Sequence, residues 1–317
     1  MKEIPCIFCD IHSDTVAIEE NGFTGKRCPE CGLIYISPRP SLEEIIDLYG
    51  HNSAHITAEE HISDEYRKRM IAKHHLKKLK RLIKNGKLLE IGAGAGFFLD
   101  EARKKGFEPY GLEFNPRQVE FVRNSLGIPC EKKAISTDVF GKTTFDVIYH
   151  CDVVSHLFDP IQDFKVMNRL LNKDGILFFE TGNFAEVDPK NYRYIRTFMY
   201  PDHLFFFGLD NLKTLLNRSG FELVFAKRYS VLAQFWLKNK IGNNSPRVEQ
   251  TTHENINSRR EKGSIHKLKV WINYILRYWI GSFFTSKKHP QTILIGAKKI
   301  RESHIPKNGL NVPSKKL

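Results

Sequence analysis

Two groups of residues in this 317-residue chain have types and spacings that could do chemistry. The first is four cysteines. Cys6-x2-Cys9 is followed after 18 residues by Cys28-x2-Cys31. Each C-x2-C turn can aim two thiolates at one point, and two such knuckles close a tetrahedron around Zn²⁺. Pro5 and Pro29 sit in the knuckles, and Gly32 follows the second. Two disulfides or a redox pair are the competing readings; the N-terminus shows no export signal, which disfavours disulfides. Four thiolates leave no open coordination position, so a zinc here is expected to be structural. The second group is a glycine loop, Glu90-Ile91-Gly92-Ala93-Gly94-Ala95-Gly96, followed 17 residues past Gly96 by Glu113. Glycines let a backbone approach a bulky ligand closely. A carboxylate such as Glu113 can accept two hydrogen bonds from vicinal ribose hydroxyls. Position 97 is Phe, so the dinucleotide fingerprint G-x-G-x-x-G fails, and no Walker lysine follows.

The elements that must position these residues alternate strand and helix. Lys87–Ile91, Phe107–Glu113, Phe145–Tyr149, Gly175–Glu180 and Phe221–Ala226 read as strands. Phe97–Lys105, a segment opened by Pro116, Pro160–Leu171 and Leu209–Ser219 read as helices. Such alternation predicts an α/β fold, a parallel sheet covered by helices on both faces. Gln291–Ala297 reads as a last strand of the same sheet. Ligands in such sheets lie beyond the carboxyl ends of the strands, where Glu90, Gly92 and Glu113 would converge. Residues 14–27 read as a hairpin turning at Asn21-Gly22. Cys130 and Cys151 are expected to be buried free thiols.

Composition narrows the classes. Apolar residues make up 41% and charged residues 27%, which excludes disordered and fibrous chains. No apolar run is long enough to span a membrane, and a cytoplasmic location is expected. The net charge of +13 is uneven. Residues 1–226 hold 30 Lys+Arg against 32 Asp+Glu, whereas residues 227–317 hold 19 against 4. Residues 67–87 carry ten Lys+Arg and no acid. A solvated basic face or an anionic partner would account for this.

LLEIGAGAGFFL followed by YGLEFNP resembles the class I S-adenosylmethionine-dependent methyltransferases. FDVIYHCDVVSHLFDP resembles their fourth strand and the loop after it, and GILFFETGN their fifth strand. HLFFFGLDNLKTLLNRSGFEL resembles the helix and sixth strand that follow. The resemblance covers residues 85–230 and the strand near 291–298. The cysteine segment resembles the N-terminal zinc-binding segment of bacterial members acting on small molecules or glycans. It implies a Rossmann-like methyltransferase sheet with a small N-terminal zinc ribbon, and S-adenosyl-L-methionine as cofactor. Gly92, Gly94 and Gly96 would line the methionine and ribose portion, and Glu113 would hold the ribose. Phe114, Ala134 and Ile135 would border the adenine, and Cys151 would lie near the methionyl group. The implied organisation is a ribbon at 1–40, a helical linker at 41–84, a methyltransferase domain at 85–300 with a basic amphipathic insertion at 231–289, and a tail at 301–317.

A hydroxyl or carbon acceptor also needs a base, because in-line proximity alone does not remove its proton. His156 stands where relatives often have Glu-His. Tyr200-Pro201-Asp202-His203 resembles a segment of zinc-binding sugar C-methyltransferases that carries a Tyr and a Glu-His pair. His203 is the preferred base, with Asp202 orienting it and Tyr200 and His156 beside it; loop histidines packed against the sheet edge are the bland alternative. The expected acceptor is a small molecule, sugar or lipid-linked glycan. The alternative is an RNA methyltransferase gripping phosphate with the ribbon and basic runs. CDVVSHLFDP lacks the Asn/Asp-Pro-Pro-aromatic run of base-amine enzymes, which disfavours nucleic acid.

Leu268, Trp271, Ile272, Ile275, Leu276, Trp279, Ile280 and Phe283 fall on one helical face, with Lys269, Asn273 and Arg277 opposite. Packing on the sheet or on a second subunit is one expectation. A peripheral membrane contact through residues 265–284 is the other.

Overall fold

The computed structural model describes residues 1–45, 58–195, 197–234 and 263–303. A seven-stranded sheet runs in the order β10-β11-β8-β7-β4-β5-β6. Its strands are β4 (Gly86–Ile91), β5 (Phe107–Leu112), β6 (Cys130–Glu131), β7 (Phe145–Cys151), β8 (Leu171–Gly182), β10 (Phe221–Ser230) and β11 (Gln291–Lys299). β4, β5, β6, β7 and β8 are parallel, and β11 inserts antiparallel between β8 and β10. Leu88, Leu89, Val147, Ile148, Leu177, Phe178 and Phe179 are fully buried. These near-continuous apolar runs are what strands covered on both faces require. The sequence order reverses direction between β4 and β7, so a crevice opens there at the carboxyl ends of the strands.

The covering helices are α1 (Ala58–Ser63), α2 (Glu65–Leu79), α3 (Phe97–Arg103), α4 (Pro116–Leu126), α5 (Pro160–Leu170), α6 (Leu209–Arg218) and α7 (Gly263–Tyr274). Their starts are written locally. Asn115 accepts from the Arg117 and Gln118 amides ahead of Pro116, and Asp159 accepts from the Gln162 amide ahead of Pro160. No helix among the described residues is long and apolar enough to cross a membrane.

The N-terminal segment forms a second sheet, β1 (Val16–Glu20), β2 (Phe23–Arg27) and β3 (Ile34–Ile36). The expected hairpin is present and turns at Asn21-Gly22. This sheet is completed by β9 (Phe205–Phe206), a strand from the far side of the chain. Asn211 on α6 donates to the Cys31 carbonyl at 2.8 Å, and Arg218 to the Phe8 carbonyl at 2.7 Å. The Glu20 carboxylate accepts from the Phe198 and Tyr200 amides. The cysteine segment thus shares its core with the larger unit and holds the loop that carries Asp202 and His203.

The 265–284 segment does not pack its apolar stripe on the sheet, which was one part of the two expectations. After α7 the chain continues through a π turn, Ile275–Trp279, and a 3-10 turn, Ile280–Ser282. Val270 and Tyr278 are buried, and Arg277 turns inward to the buried Glu180 carboxylate. Trp271, Trp279 and Phe283 point outward. Five of the eight stripe residues, Leu268, Trp271, Trp279, Ile280 and Phe283, are exposed. With the cation turned outward the buried Glu180 carboxylate would be left uncompensated, and that cost holds Arg277 inward. The basic stretch at 235–262 lies outside the described residues.

Candidate active site and metal centre

β4 ends in the glycine loop, whose three glycines have φ of 69°, 54° and 70° at Gly92, Gly94 and Gly96. A Cβ on Gly92 would come within 2.9 Å of Val153, so the bare backbone is what lets the loop after β7 close over it. Gly94 faces more open space, with His61 Nδ1 3.6 Å from a Cβ position there. The Gly94 amide donates to Glu113 Oε2 at 2.8 Å, while Glu113 Oε1 accepts from the Phe114 and Asn115 amides. The structure therefore brings Glu113 to the glycine loop, across the gap between β4 and β5. Glu90 is buried, and burial pushes its carboxyl well above the usual carboxylate range. Among the described residues its Oε2 has no hydrogen-bond partner. An orphaned buried carboxyl beside an open glycine loop fits a ligand that carries positive charge, as S-adenosylmethionine does. Phe114 is exposed beside Glu113, Ala134 is exposed and Ile135 packs against the core.

Cys151 closes β7 opposite Glu180 of β8. Desolvation and the neighbouring Asp152 and Glu180 carboxylates hold its thiol well above the usual range, so it is a poor nucleophile. Beyond it a 3-10 turn, Val154–His156, presents His156. The Leu204 amide donates to the Ser155 carbonyl at 2.8 Å and docks the 199–207 loop here.

This docking joins three of the four predicted catalytic residues. His156 Nδ1 lies 3.0 Å from the Asp202 carbonyl and 3.1 Å from Asp202 Oδ1. The His156 and His203 rings are 4.6 Å apart. One ligand atom from each of His156, Asp202 and His203 lies within 4.8 Å of the others. Desolvation lowers the His156 pKa, but the Asp202 carboxylate outweighs it and the net shift is upward. The Asp202 carboxylate, expected to orient His203, lies against His156. Tyr200 faces the cysteine segment. It is buried and its hydroxyl packs against Gly25 of the cysteine segment, where a Cβ could not fit.

Two features were missed by sequence reasoning. His61 on α1 overlooks Gly94, its pKa lowered to about 4 by burial and nearby Lys68 and Arg67. Glu180 anchors a buried polar cluster: His75 Nε2 at 3.3 Å, Arg277, Tyr278 and Thr292, with Tyr149 on His75 Nδ1 at 2.8 Å. Burial would raise the Glu180 carboxyl, yet Arg277 and His75 hold it low. An acid ending the apolar run GILFFE was a visible signal; its partners, on three other elements, were not.

In the cysteine segment all four thiols are free, and their sulfurs lie within 4.8 Å of one another. Cys6 and Cys31 sulfurs are 3.6 Å apart. Tetrahedral Zn–S bonds of about 2.3 Å place sulfurs roughly 3.8 Å apart, so the donor set fits that ion. Beside Cys31, the Cys6 thiol is held down at about 5.

The profile of a methyltransferase-domain family matches residues 63–225. The ubiquinone biosynthesis O-methyltransferase of Pelagibacter ubique is 32% identical over 107 residues, covering 32% of this chain and 44% of that protein. The tRNA U34 carboxymethyltransferase of Campylobacter jejuni is 28% identical over 161 residues, covering 45% and 50%. The chain thus spans about half the length of these curated relatives or less. Phosphoethanolamine N-methyltransferase 2 of Haemonchus contortus superposes with a TM-score of 0.51 at 13% identity, covering 84% of this chain and 62% of that one, a likeness of fold.

Proposed function

Because the chain belongs to the methyltransferase-domain family, we propose that it transfers a methyl group from S-adenosylmethionine to a small molecule, sugar or lipid-linked glycan. The observation that carries this is the convergence of Glu90, the Gly94 loop and Glu113 at the carboxyl ends of β4 and β5, with the His156–Asp202 pair across the crevice at β7.

The cofactor's sulfonium supplies the methyl group. The chain's own part is positioning and proton transfer. Gly92, Gly94 and Gly96 leave room for the ligand, Glu113 accepts from its hydroxyls, and the ligand's cationic end beside the buried Glu90 carboxyl would favour that group's ionised form. Cys151 borders the reacting end as an unreactive thiol. His156 Nδ1 stays on Asp202, which fixes the tautomer, so Nε2 is the nitrogen that takes the acceptor's proton. The adjacent carboxylate stabilises the imidazolium that results. His203 packs beside that ring and completes the wall of the site.

The four N-terminal cysteines hold one structural zinc in this reading, supported by their mutual distances. The ion stiffens the segment that grips the 198–206 loop, and so acts on the site through His203 and Asp202. RNA as acceptor is the second reading. The likeness to a tRNA carboxymethyltransferase and the basic run on α2 favour it. Labelled methyl groups carried from the cofactor into separated lipid, glycan, metabolite and RNA pools decide between them. Label in the RNA pool alone overturns the first reading, and label in none overturns both.

A further inference from the structure

We infer that the outer face of residues 268–284 docks on an anionic lipid bilayer. The inference goes beyond the proposed reaction and stands without it, since it concerns a surface and not a chemical step.

Leu268, Trp271, Trp279, Ile280, Phe283 and Phe284 are all exposed, with Trp279 69%, Phe283 79% and Phe284 65% accessible. Single exposed apolar residues are ordinary, but six on one short segment, two of them Trp and two Phe, mark an interaction surface. The helix cannot turn this face inward. Arg277 is tied to Glu180, Tyr278 is buried, and Gly281 sits against the Ser230 backbone with no room for a Cβ. Its inner face is fixed by a buried ion pair, so the aromatic stripe is left outside by construction.

The charge around the stripe specifies the occupant. Lys267 and Lys269 at one end and Lys287 and Lys288 at the other are exposed. Lys267 also sits 5.9 Å above the Tyr66 ring of α2, the helix that opens the basic run 67–87. Exposed aromatic and aliphatic side chains with lysines at both ends of the segment suit the headgroup region of a bilayer. There the rings sit at the apolar boundary and each nearby cation adds attraction to anionic lipid. A second copy fits poorly, because face-to-face packing would bring the exposed Lys267, Lys269, Lys287 and Lys288 of both copies together. Single-stranded nucleic acid would ask for exposed cations among the rings to track its phosphates, whereas Leu268 and Ile280 share this stripe with the rings and the exposed lysines stand at its ends.

Flotation of the full chain with vesicles tests the inference. Phosphatidylcholine vesicles containing phosphatidylglycerol are expected to carry the protein up the gradient at low salt, and pure phosphatidylcholine to carry much less. Trp279→Glu with Phe283→Glu should cut the bound fraction about tenfold or more, because each exchange puts a charge where a ring was buried in lipid. Cofactor binding and the melting midpoint check that this variant is folded. Should it fail to fold, Lys267→Glu with Lys269→Glu serves instead and should remove the preference for anionic vesicles. No flotation of the wild type overturns the inference, as does equal flotation of the folded double variant. So does a dimer in light scattering that these substitutions dissociate while vesicle binding is absent, or retention on RNA but not on vesicles.

Discussion

His156 Nδ1 lies 3.1 Å from Asp202 Oδ1, across 46 residues of sequence. The contact exists because the Leu204 amide binds the Ser155 carbonyl and brings the 199–207 loop against the turn after β7. The same loop is held from behind by Glu20 and by the pairing of β9 with β3. A carboxylate, an imidazole and a second imidazole are thereby gathered at the mouth of the crevice, from two elements that share no local pattern.

His156→Asn should lower the methyl-transfer rate about 10²-fold or more with cofactor affinity kept, the usual cost of losing a general base. The pH profile separates a proton-transfer role from a packing role. Asp202 raises the His156 pKa, and a base must be neutral to act, so the acidic limb of the rate profile follows that raised pKa. In Asp202→Asn the imidazolium loses its partner and the limb should move to lower pH. An unmoved limb would return His156 to a packing role and leave His203 as the base.

The cofactor crevice gives a second expectation. Gly94→Val places a β-branched side chain at a φ of 54° and fills the space under His61, so S-adenosylmethionine binding should be lost in calorimetry. Glu113→Ala should weaken binding by about 1.5–3 kcal/mol, the range for hydrogen bonds to a charged group. Binding of a nicotinamide dinucleotide in place of S-adenosylmethionine would contradict the site assigned here.

What was legible in the sequence is what is local. A strand ending in Glu90, three glycines and the Phe97 helix form one continuous pattern, and Glu113 ends the very next strand. The hairpin at Asn21-Gly22 and the cysteine spacing are local in the same sense. The partner of Asp202 was not legible, because adjacency in sequence points to His203 while the folded loop turns the carboxylate to His156. Nor was the inward side of the π turn after α7: periodicity finds a stripe, but Glu180, buried on β8, is what Arg277 turns in to meet. The placement of Tyr200 was not legible for a related reason, since the sheet formed by β3 and β9 that packs it on Gly25 joins residues far apart in the chain.

The cysteine segment should carry about one equivalent of zinc, measured by elemental analysis of the purified protein. Cys28→Ser with Cys31→Ser should remove it. Because Asn211 holds the Cys31 carbonyl and Arg218 the Phe8 carbonyl, loss of the ion should also loosen α6 and the 198–206 loop. Faster amide exchange at Phe198 and Tyr200 is the expected sign. Metal-free protein with paired disulfides would contradict the assignment.

The buried Glu180–Arg277 pair should be the most sensitive point outside the crevice. Arg277→Met removes the cation that compensates a carboxylate whose side chain is only 1% exposed, and breaking such a pair costs about 3–5 kcal/mol. Adding Glu180→Gln should recover much of that loss, because no charge is then left stranded in the core. The pH dependence has a definite sign. The folded-state Glu180 pKa is depressed, to about 2, below its unfolded value. Its contribution to stability is therefore complete above the unfolded carboxylate range, near 4.3, and is lost as pH falls through the folded value. Urea midpoints of the wild type should fall between about pH 4 and pH 2 more steeply than those of the double variant. Equal slopes in the two proteins would mean that Glu180 is not ionised in the folded chain, and that the inward turn of Arg277 rests on packing alone.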